Sequence, residues 1–133
     1  MELFFVALSS FILNFLLGRI LSLKKLDITL SYIFHIFLTI VSINFVEASG
    51  GDSQFYYSAS LIDFHGLNMY FGGNFIIDLV AIFSRTFDFS YEITTLIFSS
   101  IGLSGILIFA KLTKDLLVEL PRRYRYIYYL ILF

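Results

Sequence analysis

The sequence predicts an all-α integral membrane protein with three transmembrane helices, a truncated fourth and interfacial helices in a long outer-side loop. Composition is the first reason: 59% of the 133 residues are hydrophobic and 14% are charged, whereas an ordinary soluble domain has roughly 25% charged residues. The second reason is that the apolar residues form runs long enough to cross a bilayer, since about 20 helical residues span a hydrocarbon core ~30 Å thick. The lipid bilayer is therefore the first partner that we expect.

Several classes of function are excluded by what the chain lacks. It contains no cysteine, which excludes disulfides, thiolate metal sites and cysteine nucleophiles. Its net charge of −1 and the absence of a basic stripe give no surface for nucleic acid. The sequence also has no phosphate-binding glycine loop, zinc-ligand spacing or nucleophile elbow. Candidate chemistry is therefore sought among its carboxylates, histidines, tyrosines and arginines.

The apolar runs occupy residues 3–23, 28–46 and 93–110, and a shorter run occupies residues 126–133. Each of the first three is long enough for a span. We expect the first to be a permanent span and not a signal peptide, because Glu2 stands where a basic n-region belongs and no small-residue cleavage site follows the run. The fourth run covers only about 12 Å as a helix. We therefore expect residues 1–133 to be a single membrane domain, the N-terminal fragment of a longer protein or a truncated gene product.

Basic residues predict the orientation, because they are retained on the cytoplasmic side and short loops carry the signal best. Eight of the nine basic residues lie in two clusters that follow the first and third runs: Arg19, Lys24 and Lys25, then Lys111, Lys114, Arg122, Arg123 and Arg125. Both clusters are cytoplasmic if residues 47–92 begin and end on the outer side. This loop of 46 residues holds six of the ten acidic residues, and loops of this length are usually functional.

Within this loop, residues 75–87 predict an interfacial or re-entrant helix and not a span. The run measures about 20 Å as a helix and carries Asp78 and Arg85. Helical spacing separates two faces. The apolar face holds Ile76, Leu79, Val80, Phe83 and Phe87, and the polar face holds Asn74, Asp78, Ala81 and Arg85. The preceding Gly-Gly-Asn sequence supplies a turn and an N-cap at Asn74.

A second short helix is predicted at the start of the loop, where two glycines let the backbone turn as it leaves the membrane. One face of this helix carries, at spacings of four, three and four, Asp52, Tyr56, Ala59 and Asp63. A carboxylate at the water–lipid boundary, near a second carboxylate and a histidine, suits a general base or a ligand of a divalent cation. Asp52, Asp63 and His65 are therefore the candidate catalytic residues, and Asp52 is the candidate metal ligand.

The candidate binding residues in the loop are Tyr56, Tyr57 and Arg85. Tyrosines at the membrane surface suit stacking on sugar rings or anchoring at the headgroup level. Arg85 is the one basic residue of the loop, and it is expected either to pair with Asp78 or Asp88 or to hold a lipid-linked phosphate. The structural alternative is that Asp52 only caps its helix and that the tyrosines are ordinary interfacial aromatics.

Polar residues within the spans predict helix packing. His35 lies at helical spacing on a stripe of the second span, and such stripes mark interhelical hydrogen bonds, with a proton relay as the alternative. The stripe also holds Ser31, Thr39 and Ser42. Two further packing faces are predicted, one on the first span with Ser10, Asn14 and Gly18 and one on the third span with Ser100, Ser104 and Gly105.

The order of these features resembles a family. A span followed by Gly-Gly-Asp-x-x-x-Tyr-Tyr, interfacial helices and a further span is similar to the N-terminal part of GT-C-type membrane glycosyltransferases, especially bacterial polysaccharide (O-antigen-like) polymerases. The resemblance covers residues 28–113 and includes the surface-helix stretch at residues 67–87. It implies an essential aspartate at Asp52, a lipid-linked sugar donor and a multi-pass protein of the bacterial inner membrane. No cofactor is expected other than the candidate divalent metal ion at Asp52.

Two departures limit the resemblance. Such enzymes have about eight to fourteen spans, whereas this chain has three and part of a fourth. The acidic pair that many of them carry in this loop is also not contiguous here.

The leading hypothesis is that the chain is the N-terminal portion of a glycosyltransferase that uses a lipid-linked sugar donor. The competing hypotheses are a small non-enzymatic hydrophobic subunit of a larger membrane assembly, with other membrane subunits as partners, and a transporter fragment with a re-entrant helix.

Overall fold

The structure is a computed structural model that describes residues 1–62, 72–117 and 126–133. The described residues form helices and contain no strand. In chain order the elements are α1 (Glu2–Ile20), α2 (Lys25–Ser49), α3 (Asp52–Ile62), α4 (Gly73–Ala81), a π-helical turn (Ile82–Thr86), α5 (Tyr91–Leu117) and α6 (Tyr126–Leu132). The prediction of an all-helical chain is confirmed for these residues.

Three of the helices, α1, α2 and α5, are long and apolar enough to cross a membrane. They contain 19, 25 and 27 residues, and about 20 are needed for a span. Their positions agree with the three predicted runs, although α2 extends beyond its run at both ends and α1 stops at Ile20, before residue 23. The short apolar run at the end of the chain forms the seven-residue helix α6.

The turn that ends α1 explains this early stop. The Leu23 amide donates to the Gly18 carbonyl at 2.9 Å, and the Ser22 amide donates to the Arg19 carbonyl at 3.0 Å. This pair of bonds is a Schellman motif, which requires a left-handed residue and usually has glycine there. Ser22 takes that position with a φ of 58°. Leu23 then folds into the core and is 1% exposed.

The chain divides into two compact units. The bundle unit comprises Met1–Leu38 and Ile97–Phe133, and the loop unit comprises Thr39–Leu96. The core of the bundle unit consists of buried aliphatic side chains: Leu23, Ile28, Leu103, Leu107, Ala110 and Leu132. Gly18 lets α1 approach this core, because a Cβ atom there would lie 2.6 Å from Cδ1 of Ile28.

A polar clamp joins α1 to α5 inside the bundle unit. The Asn14 amide nitrogen donates to the Ser10 carbonyl at 3.0 Å and to Oγ of Ser100 at 2.8 Å. Its Oδ1 accepts from Oγ of Ser104 at 3.0 Å. Asn14 is 1% exposed, and a buried amide needs such partners to offset its desolvation. The predicted packing faces on α1 and α5 therefore meet at Asn14, Ser100 and Ser104. Gly18 packs on Ile28 of α2 instead, and Gly105 was wrongly included, because it has no neighbour within 4 Å of its Cβ position.

α2 and its neighbours in the bundle unit are joined by two further polar contacts. Nε2 of His35 donates to the Ser99 carbonyl at 2.9 Å, and the Tyr32 hydroxyl donates to the Ala7 carbonyl at 2.5 Å. Both acceptors lie on other helices. The prediction that the His35 stripe makes interhelical hydrogen bonds is therefore confirmed for His35 itself.

The loop unit packs α3 against α4 and the π-helical turn. The faces predicted for residues 75–87 are wrong in part. Asp78 and Ala81 were placed on one face with Asn74 and Arg85, but Asp78 and Ala81 are buried together with Val80 and Ser84, while Asn74 and Arg85 are exposed. Small and polar side chains thus form the contact between helices, as they do in membrane proteins. The π-helical turn also shifts the later side chains out of the spacing of a regular α-helix.

The predicted N-cap at Asn74 is also wrong. α4 begins at Gly73, so Gly72 is its N-cap, and no side chain caps the helix. The Gly72 carbonyl accepts from the amides of Phe75 and Ile76 at 3.1 and 3.4 Å. The first turn is therefore satisfied by backbone atoms.

Candidate functional site

The backbone between α2 and α3 places Asp52 close to the end of a candidate span. α2 ends at Ser49, and Asp52 is the first residue of α3. Gly50 has a φ of 75°, a conformation that costs glycine little and other residues more. Its amide donates to the Val46 carbonyl at 2.7 Å. This tight turn confirms the sequence prediction of a turn at the two glycines, followed by a short helix with Asp52 at its N-terminal end.

The Asp52 carboxylate does not act as a helix cap. Asp52 is exposed, and its side chain makes no hydrogen bond to any of the residues that the structure describes. The Phe55 amide of the first turn donates to the Gly51 carbonyl at 3.1 Å. A carboxylate in the first helical turn still gains from the positive end of the helix dipole. The structural alternative for Asp52, a role limited to capping, is therefore not what this geometry favours.

Tyr56 lies one turn further along α3 and packs against α4. A Cβ atom added to Gly73 would lie 3.5 Å from the Cε1 atom of Tyr56, so the tyrosine ring passes close to the start of α4. The ring also makes an edge contact with Phe55, with centroids 5.8 Å apart. Tyr56 is half-buried, so its role in substrate binding stays a prediction.

Four hydrogen bonds join α3 to the segment that runs from the π-helical turn to the start of α5. They involve the side chains of Ser53, Tyr57, Ser60 and Arg85 and are called the α3 seam below. The bonds are Ser53 Oγ to Tyr91 Oη at 2.8 Å, Tyr57 Oη to the Phe89 carbonyl at 2.9 Å, Ser60 Oγ to Ser84 Oγ at 3.0 Å and Arg85 Nη2 to the Leu61 carbonyl at 2.6 Å. Because the partners generally move back along the chain as α3 advances, the two segments run antiparallel.

Tyr57 occupies the middle of the seam. Its hydroxyl donates to the Phe89 carbonyl, and its ring makes an edge contact with Tyr91 at a centroid distance of 5.6 Å. Burial raises the pKa of the Tyr57 hydroxyl, and the carboxylates of Glu92 and Asp88 raise it further. The hydroxyl therefore stays protonated and remains a donor. Its predicted contact with substrate stays a prediction, and the observed contact is structural.

Arg85 lies on the π-helical turn and binds the end of α3. Its Nη2 donates to the Leu61 carbonyl, one of the last in the helix. Carbonyls at a helix C-terminus lack helical partners, and a cation is favoured beside them. This contact explains why a cation is present in an acidic loop. The predicted contact of Arg85 with a lipid-linked phosphate stays a prediction.

The remaining predicted site residues, Asp63 and His65, lie outside the described residues. Among the residues in 1–62, 72–117 and 126–133, no group of three His, Asp or Glu side chains is close enough to hold a metal ion. The divalent metal ion at Asp52 therefore stays a prediction.

Sequence reasoning missed the serines of the seam. Ser60 and Ser84 are both buried, with 0% and 3% exposure. A signal for the first was present, because Ser53, Tyr57 and Ser60 recur at positions i, i+4 and i+7 of one helix face. The partner positions carried no such signal, because the π-helical turn and the following loop have no regular spacing.

Comparison with protein-family models, with characterised proteins and with solved structures finds no match to this chain. Functional inference therefore rests on the residues and contacts described above. What these establish is a helical chain with three helices that are long and apolar enough to cross a membrane.

Proposed function

We propose that this chain is the N-terminal portion of a membrane glycosyltransferase related to polysaccharide polymerases. The enzyme transfers sugar from a lipid-linked donor on the outer side of the membrane that it spans. One observation carries the proposal: the exposed, unbonded carboxylate of Asp52 directly follows an apolar helix. A carboxylate with no internal partner among the described residues is available to a ligand. Its position at the predicted water–lipid boundary suits a substrate that is half lipid and half sugar.

In this mechanism Asp52 acts as general base. The acceptor hydroxyl oxygen forms a bond to the anomeric carbon of the donor sugar, the bond from that carbon to the lipid-linked phosphate breaks, and Asp52 takes the hydroxyl proton. The phosphate leaves with its lipid. In the alternative form of the mechanism, Asp52 would be a ligand of a divalent metal ion.

The α3 seam gives Asp52 a fixed location in this proposal. Tyr57 and Arg85 tie α3 to the following segment through backbone carbonyls. Catalytic groups need support of this kind, because small displacements of a reacting group are costly in rate. We therefore assign Tyr57 and Arg85 to positioning, and we leave Tyr56 as the candidate for acceptor contact.

The test uses Asp52→Asn in the full-length protein, expressed in a strain that lacks the chromosomal copy. The substitution removes the negative charge with little change of size, so loss of a general base predicts a fall in product of ~10²-fold or more. Membrane levels are measured first, and polymer or glycolipid product is then assayed by gel. Asp88→Asn is the matched control, because Asp88 is also exposed in the loop unit and has a φ of 53°, which asparagine tolerates.

A second candidate function is a non-enzymatic subunit of a larger membrane assembly. The observation that favours it is that most of the conspicuous polar residues bind within the chain, as at Asn14, Tyr57 and Arg85. Normal membrane levels and normal product with Asp52→Asn would remove Asp52 from the proposed mechanism, whereas product that stays normal when the protein itself is absent would refute glycosyl transfer and favour this second function. Co-purification of a defined membrane partner would then be expected.

A further inference from the structure

One end of the bundle unit carries the basic residues of two separate chain segments. Arg19 lies in the last turn of α1, and Lys24 and Lys25 lie at the start of α2. Lys114 lies in the last turn of the described part of α5, and its Nζ is 3.4 Å from the Ser22 carbonyl in the α1–α2 turn. This contact places Lys114, from the second basic cluster, beside the turn that precedes Lys24 and Lys25 of the first.

The cations at this end are not equivalent. Lys111 forms an ion pair with Asp115, with Nζ and Oδ1 2.6 Å apart, so its charge is largely compensated. Arg19, Lys24 and Lys25 are exposed, and no ion pair of these three is found in the part of the chain that the structure describes. The other nearby carboxylate, Asp27, is buried and has an interaction of its own. The end is therefore cationic on balance.

Aliphatic side chains accompany these cations along the chain. Arg19, Lys25 and Lys111 are each followed directly by an exposed aliphatic residue. The exposed aliphatic residues at this end, each more than half exposed, are Ile20, Leu26, Leu112 and Leu116. A ligand that satisfies both kinds of side chain must carry a negative charge and hydrocarbon together, and free phosphate carries only the charge.

We propose that this end of the bundle unit, defined by Arg19, Lys24, Lys25 and Lys114, binds the headgroup of an anionic phospholipid. The phosphate lies among the cationic groups, and the acyl chains cover Ile20, Leu26, Leu112 and Leu116. Basic residues at the cytoplasmic end of membrane spans attract anionic lipids in this way, and long Lys and Arg side chains reach the headgroups while their stems cover apolar surface. The interaction is independent of the proposed glycosyl transfer.

The test is a lipid titration of the purified full chain in detergent, followed by native mass spectrometry. The probes are phosphatidylglycerol, phosphatidylcholine of the same acyl composition, and inorganic phosphate. We expect phosphatidylglycerol to bind roughly tenfold more tightly than phosphatidylcholine, and inorganic phosphate in excess to leave this preference unchanged. Equal binding of the two lipids, or displacement of phosphatidylglycerol by inorganic phosphate alone, would overturn the proposal.

Two variants assign the effect to these residues. Arg19→Gln/Lys24→Gln/Lys25→Gln should lose most of the preference for phosphatidylglycerol while leaving phosphatidylcholine binding unchanged, and it keeps the Lys114 contact with Ser22. Lys111→Gln removes one charge from the same end but from an ion pair, so it should keep most of the preference. A triple variant that retains the full preference, or a Lys111→Gln variant that loses it equally, contradicts the site. Circular dichroism of each variant checks that helix content is unchanged.

Discussion

The bundle unit and the loop unit use polar side chains in different ways. In the bundle unit, one buried residue, Asn14, bonds to the Ser10 carbonyl of its own helix and to Ser100 and Ser104 of the neighbouring apolar helix. In the loop unit, the four bonds of the α3 seam are spread along a short helix and end mainly on backbone carbonyls or hydroxyls. Apolar and small-residue packing dominates the first unit, and distributed hydrogen bonds hold the second.

This difference has an energetic consequence. The polar clamp depends on one side chain in a packed apolar interior. Truncating that side chain leaves several buried hydrogen-bonding groups without their partner, and each unsatisfied group costs about 1–3 kcal/mol. A distributed seam loses only one bond at a time, at roughly 0.5–1.5 kcal/mol. Single substitutions should therefore destabilise the bundle unit more than the loop unit.

The largest effect is expected for Asn14→Ala. It removes the partner of Ser100 and Ser104 and leaves a small cavity, so unfolding should become easier by about 2 kcal/mol or more. Asn44→Ala is the matched control, because the exposed Asn44 amide bonds only the Ile40 carbonyl of its own helix. SDS titration of each detergent-solubilised variant gives the free energy of unfolding. Equal losses in the free energy of unfolding for the two variants would show that the hydrogen bonds of Asn14 to α5 do not stabilise the bundle unit.

The next effect is expected for Gly18→Ala. A Cβ atom at this position would lie 2.6 Å from two atoms of Ile28, and overpacking typically costs about 1–3 kcal/mol. Gly105→Ala is the control, since its Cβ meets nothing within 4 Å and gains up to ~1 kcal/mol of helix propensity. In a double-mutant cycle, Gly18→Ala should cost less in an Ile28→Ala background than in the natural sequence. Destabilisation that is identical with and without Ile28 would contradict close packing at this contact.

A smaller effect is expected in the loop unit for Tyr57→Phe. The ring and its edge contact with Tyr91 remain, and only the bond to the Phe89 carbonyl is lost, so the cost should be about 1 kcal/mol. Tyr56→Phe removes a hydroxyl that makes no hydrogen bond to the residues described and should cost nearly nothing. Proteolysis in the loop unit, measured at equal membrane levels, compares the two. A larger loss of protease resistance for Tyr56→Phe than for Tyr57→Phe would contradict the stabilising role of the Tyr57 hydrogen bond.

The smallest effect, with the opposite sign, is expected for Ser22→Gly. Ser22 holds a left-handed conformation that costs non-glycine residues roughly 1–2 kcal/mol, and glycine relieves part of this cost while gaining freedom in the unfolded chain. We expect a net stabilisation of less than about 1 kcal/mol. Ser9→Gly, inside α1 and exposed, should destabilise by a comparable amount. Equal destabilisation at both sites would contradict the Schellman turn.

The sequence predicted the long helices because their signal is local. A run of about 20 apolar residues has no other stable structure in a bilayer, and α1, α2 and α5 follow from it. The packing residues Asn14 and Gly18 were also predictable, because small and polar residues within a span have little reason to face lipid. Gly105 shows the limit of that argument, since its open surroundings depend on which face α5 turns toward its neighbours.

The loop unit was predicted less well because its structure depends on contacts between distant residues. Asp78 appeared to belong to an exposed polar face, yet α4 uses that side to pack on α3. Tyr57 and Arg85 were interpreted as ligand contacts because polar groups in a functional loop invite that interpretation. Their partners, the carbonyls of Phe89 and Leu61, have no side-chain signature in the sequence. Among the candidate catalytic residues that the structure describes, Asp52 is exposed, makes no side-chain hydrogen bond to the described residues and begins its helix as predicted.

The central claim is that Asp52 presents its carboxylate to the outer aqueous side at the end of a span. Because the chain has no cysteine, Asp52→Cys gives a clean site for a membrane-impermeant thiol reagent. We predict labelling of Asp52→Cys in intact cells, no labelling of Ser60→Cys until denaturation because Ser60 is buried, and labelling of Lys24→Cys only after permeabilisation. Protection of Asp52→Cys in intact cells, with labelling once the cells are opened, would contradict both the orientation and the proposed site.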